Sequence, residues 1–458
     1  MHTHPALRIA VVGTGYVGLT TGVALAHLGH TVTGVDRDPG KVQMLRDGQS
    51  PIHEAHLEDL LRASSSHLHF TTSLSEGLQG ADVVVIAVGT PPKPNGEADT
   101  RHVEAVAREI AQNLTEGQQT VVVVKSTVPI GSNQRVSSVI ARVLRERGVT
   151  ARVSFASNPE FLREGMALHD TFYPDRIVVG ANDEHAVAVL RQMYRPLLEQ
   201  TFGPPAGLPR PTNFPLPPLV TTDTTSAEMI KYAANAFLAT KISFINEIGG
   251  LCERVGADVT EVARGMGLDT RIGTRFLQAG LGWGGSCFPK DTQALQAVAA
   301  EYGYTMPIIQ AARDVNDRQR TLMVEKLQRA LKVLRGRTVA VLGLAFKPGT
   351  DDVRDSPGMD IVRTLLERDV HVRAYDPVAL DAAQRALADM EVDWAYTPED
   401  ALEGADAVLI ATEWTDFRGL DWAALAGRMR TPVLVDGRNH LDPLALRAAG
   451  FTYVGVGR

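Results

Sequence analysis

Arg8-Ile9-Ala10-Val11-Val12-Gly13-Thr14-Gly15-Tyr16-Val17-Gly18 is the stretch on which the fold of this chain turns. A short β-branched run leads directly into glycines at the first, third and sixth places of a turn. The segment Gly18 to Leu28 then carries apolar residues at helical spacing and stops at Gly29. Strand, glycine turn and helix in this order make the phosphate-binding start of a dinucleotide unit. The glycines allow the tight turn, let backbone amides approach a pyrophosphate, and pack helix on strand, while the helix dipole favours the anion. The next strand, Thr31 to Val35, ends at Asp36. A carboxylate there accepts hydrogen bonds from an adenosine ribose and repels a 2′-phosphate, which points to NAD over NADP, although Arg37 is a nearby cation of the kind that accommodates the phosphate.

Outward from this turn the alternation continues through the apolar runs Ala81–Val88 and Thr120–Val124. Apolar strands alternating with helices imply a parallel sheet covered on both faces. From Thr225 to about Arg335 helical periodicity dominates and strand-like runs are scarce. Before that region Gly203 to Pro218 holds seven prolines, which predicts an extended loop or a flexible spacer. After Gly336 the alternation returns: Thr338–Gly343 parallels Ile9–Gly13, His371–Asp376 parallels Thr31–Asp36, and Gly404–Ala411 echoes Gly80–Ala87. The expected fold is α/β, with two Rossmann-like doubly wound domains, residues 1–205 and 326–458, joined by a helical middle domain, residues 219–325.

A chain of 458 residues is too long for one ordinary core, in keeping with several domains. Its 44% hydrophobic and 22% charged residues are an ordinary globular balance, and a net charge of −7 disfavours a general nucleic-acid binder. Met1-His2-Thr3-His4-Pro5 is too short and polar for a secretory signal, and the run Ile9–Val12 is far short of a membrane span. Two distant cysteines, Cys252 and Cys287, suit a reducing cytoplasm. The histidine pairs His53/His56 and His67/His69 have no partners at ligand spacing, so no metal is expected.

Three further stretches carry chemistry. In Gly282-Trp283-Gly284-Gly285-Ser286-Cys287-Phe288-Pro289-Lys290-Asp291 the glycines let backbone fold closely over a ligand, and Pro289 suits the first turn of a helix. Cys287 then sits at a helix N-terminus beside Lys290, where a thiolate is favoured, whereas Cys252 falls on a helical pattern and reads as inert core. Lys231 and Asn235 share a helix face at i,i+4 and can reach one ligand together, although such pairs are common on solvated helices. In the second Rossmann-like unit the glycine turn gives way to Ala345-Phe346-Lys347-Pro348-Gly349-Thr350-Asp351-Asp352-Val353-Arg354. An aromatic ring with Lys347 and Arg354 suits a base and phosphates, and a charged surface loop is the plain alternative.

These residues, with Lys125-Ser126-Thr127-Val128-Pro129-Ile130-Gly131, Asn158-Pro159-Glu160-Phe161-Leu162-Arg163-Glu164-Gly165, Lys231–Phe237 and Asp436-Gly437-Arg438, resemble the UDP-glucose/GDP-mannose dehydrogenases over essentially the full length. Arg271-Ile272-Gly273 resembles the branch acting on UDP-glucose. The resemblance implies NAD on the N-terminal domain, uridine diphosphate on the C-terminal one, and a homodimer paired through the helical middle. It implies oxidation of the C6 alcohol to a carboxylate by two hydride transfers, with Cys287 as nucleophile and Thr127, Glu160, Lys231, Asn235 and Asp291 around the reacting carbon. It places NAD against Gly13, Gly15, Tyr16, Val17, Gly18, Asp36, Lys41, Thr90, Thr127, Glu164, Lys290 and Arg354. It places substrate against Glu160, Phe161, Leu162, Lys231, Asn235, Arg271 (across the dimer), Gly284, Phe346, Lys347 and Arg438. Open alternatives are the same chemistry on GDP-mannose or a UDP-N-acetylhexosamine, a two-electron hydroxy-acid dehydrogenase, and an inactive sugar-nucleotide sensor. Whether Glu160 or Asp291 handles the protons is likewise open.

Overall fold

The structure, a computed structural model, describes residues 5–458 and divides into two compact units, Met1–Ala233 and Ala234–Arg458. The first is built on eight strands: β1 (Arg8–Val12), β2 (Thr31–Val35), β3 (Leu68–Thr71), β4 (Val83–Ile86), β5 (Gln119–Val124), β6 (Arg152–Ser157), β7 (Ile177–Ala181) and β8 (Leu219–Thr222). Their order in the sheet is β3-β2-β1-β4-β5-β6-β7-β8. Every residue of β4 is buried, as is all of β5 after Gln119, because helices cover both faces; a strand so placed is apolar throughout rather than alternating. The helices Arg101–Asn113 and Ser132–Arg147 pack on one face around Ile110 and Ile140, and Tyr16–His27 and Glu184–Glu199 on the other around Leu19 and Leu190.

The expected all-parallel sheet needs one correction. β7 runs antiparallel to β6, while every other neighbouring pair of this sheet is parallel. Strand direction is set by the connection, and local periodicity carries no record of it.

The second correction concerns the prolines. Residues 203–218 are extended, as proline requires, but they are a packed strap rather than a loose spacer. The Tyr173 hydroxyl donates to the Leu208 carbonyl at 2.8 Å, and His27 shares a hydrogen bond with the Gly203 carbonyl at 2.9 Å. Tyr173 also packs at a tilt against Phe202, the residue just before the strap, and meets Phe214 edge-on, with ring centroids 6.1 and 5.5 Å away. Proline leaves few amides to satisfy, so the aromatic contacts decide where this segment lies.

The second unit repeats the design with β9 (Thr338–Leu342), β10 (His371–Tyr375), β11 (Asp393–Trp394), β12 (Ala407–Ile410), β13 (Val433–Asp436) and β14 (Thr452–Val454). All are parallel, in the order β11-β10-β9-β12-β13-β14. The helical region expected between the sheets is present as Thr224–Val255, Val259–Gly267, Phe288–Glu301 and Pro307–Leu331. Ile245, Cys252 and Leu327 of these helices, with Leu281 of the loop before Phe288, share one apolar core with Val339 and Val341 of β9 and Leu365 of the helix Pro357–Leu366. Cys252 is thus core, as its helical setting predicts. Among the described residues no helix is long and apolar enough to cross a membrane.

Candidate active site

The glycine turn has the geometry a dinucleotide needs. Gly13 has φ +97°, and a Cβ on Gly18 would lie 1.8 Å from the Gly13 carbonyl oxygen, so helix and strand approach closer than any side chain allows. The space beside Gly15 is open, and the helix Tyr16–His27 begins there with no acidic residue in its first turn to compete for the free amides. Val17 packs on the core behind the turn, while the Tyr16 hydroxyl donates to the His53 carbonyl. Asp36 accepts from the Thr14 amide at 3.0 Å and the Thr14 hydroxyl at 2.7 Å, with Lys41 at 3.7 Å. Burial alone would raise its carboxyl, but the Thr14 and Asp38 hydrogen bonds and the charge of Lys41 hold it below the usual range. An ionised, partly exposed acceptor at this place fits an adenosine ribose. Farther along the sheet, the Thr90 hydroxyl donates to the Thr127 carbonyl at 2.7 Å, tying together the loops that follow β4 and β5.

The same unit holds a buried ion pair. Glu160, in the loop after β6, accepts from Lys231 at 2.8 Å through Oε1 and from the Leu162 amide at 2.6 Å through Oε2. Burial would raise this carboxyl, yet the charge and hydrogen bond of Lys231, the Leu162 amide and the charge of Lys125 bring it below the ordinary carboxylate range. Phe161 offers its ring face to the Arg176 guanidinium at 3.7 Å and to the Lys231 ammonium at 5.6 Å. Glu164 lies half-buried in the loop beyond. Lys231 and Asn235 stand one turn apart on the continuous helix Thr224–Val255, as their spacing predicts.

In the second unit Cys287 is the N-cap of the helix Phe288–Glu301, with Pro289 in the first turn and the Ser286 hydroxyl 3.6 Å from its sulfur. Asp291 is buried and clamped, accepting from Asn235 Nδ2 at 2.6 Å and from Lys290 Nζ at 2.7 Å. The glycine loop is fixed from behind. Trp283 donates its amide to Asn316 at 2.7 Å and its indole N–H to Ser243 at 3.0 Å. A Cβ on Gly284 would lie 2.1 Å from the Asp355 carbonyl oxygen, and one on Gly285 would strike the Phe346 ring at 2.6 Å. The loop bearing Phe346 and Lys347 therefore lies directly against the glycines that precede the cysteine. Arg438 knots these pieces, donating to the carbonyls of Ala411, Gly282 and Phe346 at 2.9, 3.1 and 3.2 Å. Arg354 pairs with Asp352, and Arg271, its side chain 88% exposed, pairs with Asp269.

Sequence reasoning assigned no role to several residues that build these sites: Ser243 and Asn316 behind the glycine loop, and Asn158, Tyr194 and Lys125 behind Glu160. Lys125 directly follows the apolar run of β5, and a lysine at the end of a buried strand was the available signal. Its partners, far away in sequence, were not legible.

Three family models match in order: the NAD-binding domain of the UDP-glucose/GDP-mannose dehydrogenase family at residues 7–198, its central domain at 225–318 and its UDP-binding domain at 340–443. The UDP-glucose 6-dehydrogenase YwqF of Bacillus subtilis is 45% identical over 454 residues, covering 99% of this chain and 98% of that protein. A solved UDP-glucose dehydrogenase from Pyrobaculum islandicum is 41% identical with a TM-score of 0.87, over 100% of this chain and 99% of that one. A UDP-D-ManNAc dehydrogenase from Pyrococcus horikoshii is 27% identical with a TM-score of 0.83, over 99% of each chain.

Proposed function

The chain belongs to the UDP-glucose/GDP-mannose dehydrogenase family, and from that premise we propose that it oxidises the C6 alcohol of UDP-glucose to the carboxylate of UDP-glucuronate, using NAD and a covalent cysteine intermediate. The UDP-glucose relative and the UDP-glucose structure stand at 45% and 41% identity against 27% for the ManNAc enzyme, which supports glucose as the sugar. The observation that carries the chemistry is Cys287 capping a helix four residues before a carboxylate fixed by Asn235 and Lys290. An alcohol-to-aldehyde oxidation needs no such thiol; an alcohol-to-acid oxidation does, because the aldehyde must be held while a second pair of electrons leaves.

Bound NAD supplies the hydride acceptor, twice per sugar. The chain's own groups do the rest. Lys231, held by Glu160, stabilises negative charge developing on O6, a contribution of about 3–4 kcal/mol for one well-aimed donor. The Cys287 thiolate adds to the aldehyde carbon, giving a thiohemiacetal whose second oxidation leaves a thioester. Water then cleaves the thioester and releases the carboxylate. Asp291, both of whose oxygens are fixed, is the group we assign to positioning that water, with Glu160 kept as partner of Lys231. Thr127 and Thr90 brace the loop on the NAD side. Lys347 and Phe346 are assigned to the nucleotide of the substrate, with Arg438 holding their loop. Glu164, Lys41, Lys290 and Arg354 remain assigned to NAD by the family pattern alone.

We further assign three functional domains, residues 1–205 for NAD, 219–325 for dimerisation and 326–458 for the sugar nucleotide. A homodimer is supported by the helix Thr224–Val255, where Phe237, Phe244 and Leu251 recur every seventh residue with side chains left 65%, 46% and 55% exposed. Pairing of that face is what would let Arg271 serve a neighbouring subunit's substrate. A reducing cytoplasm suits both free thiols.

The test is a stoichiometry and one variant. Two NADH should form per UDP-glucose. Cys287→Ser should bind NAD and UDP-glucose normally while turnover falls by at least about 1,000-fold, since a serine hydroxyl barely ionises near neutral pH. One NADH per sugar with aldehyde released, or near-normal turnover by the variant, would remove the covalent step.

A further inference from the structure

Three buried charges meet in the first unit, and only two of them have a part in the proposed chemistry. Lys125 follows β5 directly and is 8% exposed; Glu160 and Lys231 are 7% and 3% exposed. Two ammonium groups against one carboxylate leave a surplus positive charge in a desolvated place, an arrangement that is costly unless it is used or well held. It is well held. The Lys125 ammonium donates to Asn158 Oδ1 at 3.0 Å, and the Tyr194 hydroxyl donates to the same oxygen at 2.5 Å. Asn158 Nδ2 donates in turn to the Val178 carbonyl at 2.7 Å. Asn158 lies two residues before Glu160, and its amide bonds the Val124 carbonyl at 3.0 Å, so the lysine fixes the end of the strand from which the glutamate loop departs.

We propose that Lys125 is a positioning residue for the dehydrogenation, holding the Asn158 turn and keeping Glu160 ionised so that Glu160 presents Lys231 to the reacting oxygen. The proposal rests on the role given above to the Glu160–Lys231 pair. The groups facing Lys125 are Glu160 from the loop after β6, Lys231 from the helix Thr224–Val255, and Tyr194 and Asn158, which are neutral. Burial pulls the Lys125 ammonium down to about 8; the Glu160 charge opposes this and the Lys231 charge adds to it. Burial pushes the Tyr194 phenol up, so it stays a donor throughout the working range.

The charge on Lys125 is thus present below about pH 8 and lost above it. Because the lysine of the unfolded chain keeps its proton to about pH 10.4, the unfolded state binds more protons between these values. Lys125 therefore makes stability rise with pH in that window. Replacing it removes the rise.

The experiment uses full-length Lys125→Met and Asn158→Asp, the second placing a carboxylate beside an intact Lys125. Folding is checked by circular dichroism and NAD binding. In Lys125→Met, kcat should drop about 10- to 100-fold with KM for NAD unchanged, and the acid limb of kcat/KM should move upward by about one pH unit as Glu160 loses a neighbouring charge. The stability increment between pH 8 and 10 should vanish. Asn158→Asp, which cancels the surplus charge without removing the lysine, should shift the acid limb in the same direction. A folded Lys125→Met with wild-type kcat and an unmoved acid limb would overturn the proposal. If Lys125→Met does not fold, an unmoved acid limb in Asn158→Asp overturns it alone. Absence of UDP-glucose oxidation by the wild type would instead refute the activity, and the pH-dependent stability of wild type against Lys125→Met would still report on the lysine.

Discussion

Both sheets end their second strand on an aspartate, Asp36 after β2 and Asp376 after β10, and the two carboxylates have opposite surroundings. Asp36 spends its oxygens on Thr14 and Asp38 and keeps an open side toward Lys41. Asp376 is 2% exposed and accepts five hydrogen bonds: from the amides of Leu344, Ala345, Val378 and Ala379, and from the Trp414 indole. The turns differ in the same sense. Gly13 and Gly18 bound a tight loop of four residues. Their counterparts are Gly343 and Gly358, since a Cβ on Gly358 would lie 2.7 Å from the Gly343 carbonyl just as one on Gly18 would crowd Gly13, but fourteen residues separate them. One topology has thus been used twice. In the first copy the strand-end carboxylate keeps an open side; in the second it is an internal clamp for a longer loop carrying Phe346 and Lys347.

Removing the clamp is the harshest way to probe that difference. Asp376→Ala leaves five donors without an acceptor, four of them backbone amides, and should destabilise the protein by about 3–5 kcal/mol in urea denaturation. A mild loss of stability accompanied by lost UDP-sugar binding would show that Asp376 is a ligand contact after all, and the contrast with Asp36 would collapse.

The partner experiment is Asp36→Ala, with a smaller effect of a different kind. Stability should fall by about 1 kcal/mol or less. Preference for NAD over NADP should narrow about 10- to 30-fold, worth some 1.4–2 kcal/mol, as the charge that repels the 2′-phosphate goes. Its carboxyl titrates below the ordinary range, so what it adds to stability is complete at neutral pH and is lost only as pH falls through the lowered folded value. A wild type that favours NADP would contradict the ribose reading of Asp36.

How much of this was legible in the sequence follows from how local each feature is. The glycine turn could be read because its constraint is steric and confined to six residues. Cys287 could be told from Cys252 because one follows a run of glycines and the other continues a helical pattern. The Lys125–Asn158–Tyr194 cluster could not, since its contacts span 33, 36 and 69 residues and lie on three different elements. Arg438 was singled out for a substrate, but three of the groups it holds are backbone carbonyls, which have no signature of their own in a sequence. The direction of β7 was hidden for a similar reason, because pairing sense depends on where a connection lands.

The proline strap offers the gentlest probe, and it concerns a piece added to the first unit's sheet just before the edge strand β8. Composition alone reads residues 203–218 as a spacer, and a spacer has no share in cooperative unfolding. The structure gives it one: Tyr173 is 4% exposed and its hydroxyl bonds the Leu208 carbonyl, while Leu208 itself belongs to the apolar core. Tyr173→Phe keeps the ring and its contacts with Phe202 and Phe214 and deletes one hydrogen bond, leaving a buried carbonyl without that donor. The expected cost is about 1 kcal/mol, or a fall of about 2–4 °C in the unfolding midpoint for a unit of this size. Turnover and KM for NAD should stay at wild-type values, because Tyr173 and the residues it meets here, Leu208, Phe202 and Phe214, are not among those assigned to the chemistry. Should the midpoint not move, the segment is the loose linker that its prolines suggest, and the aromatic packing around Tyr173 adds nothing to the stability of the first unit.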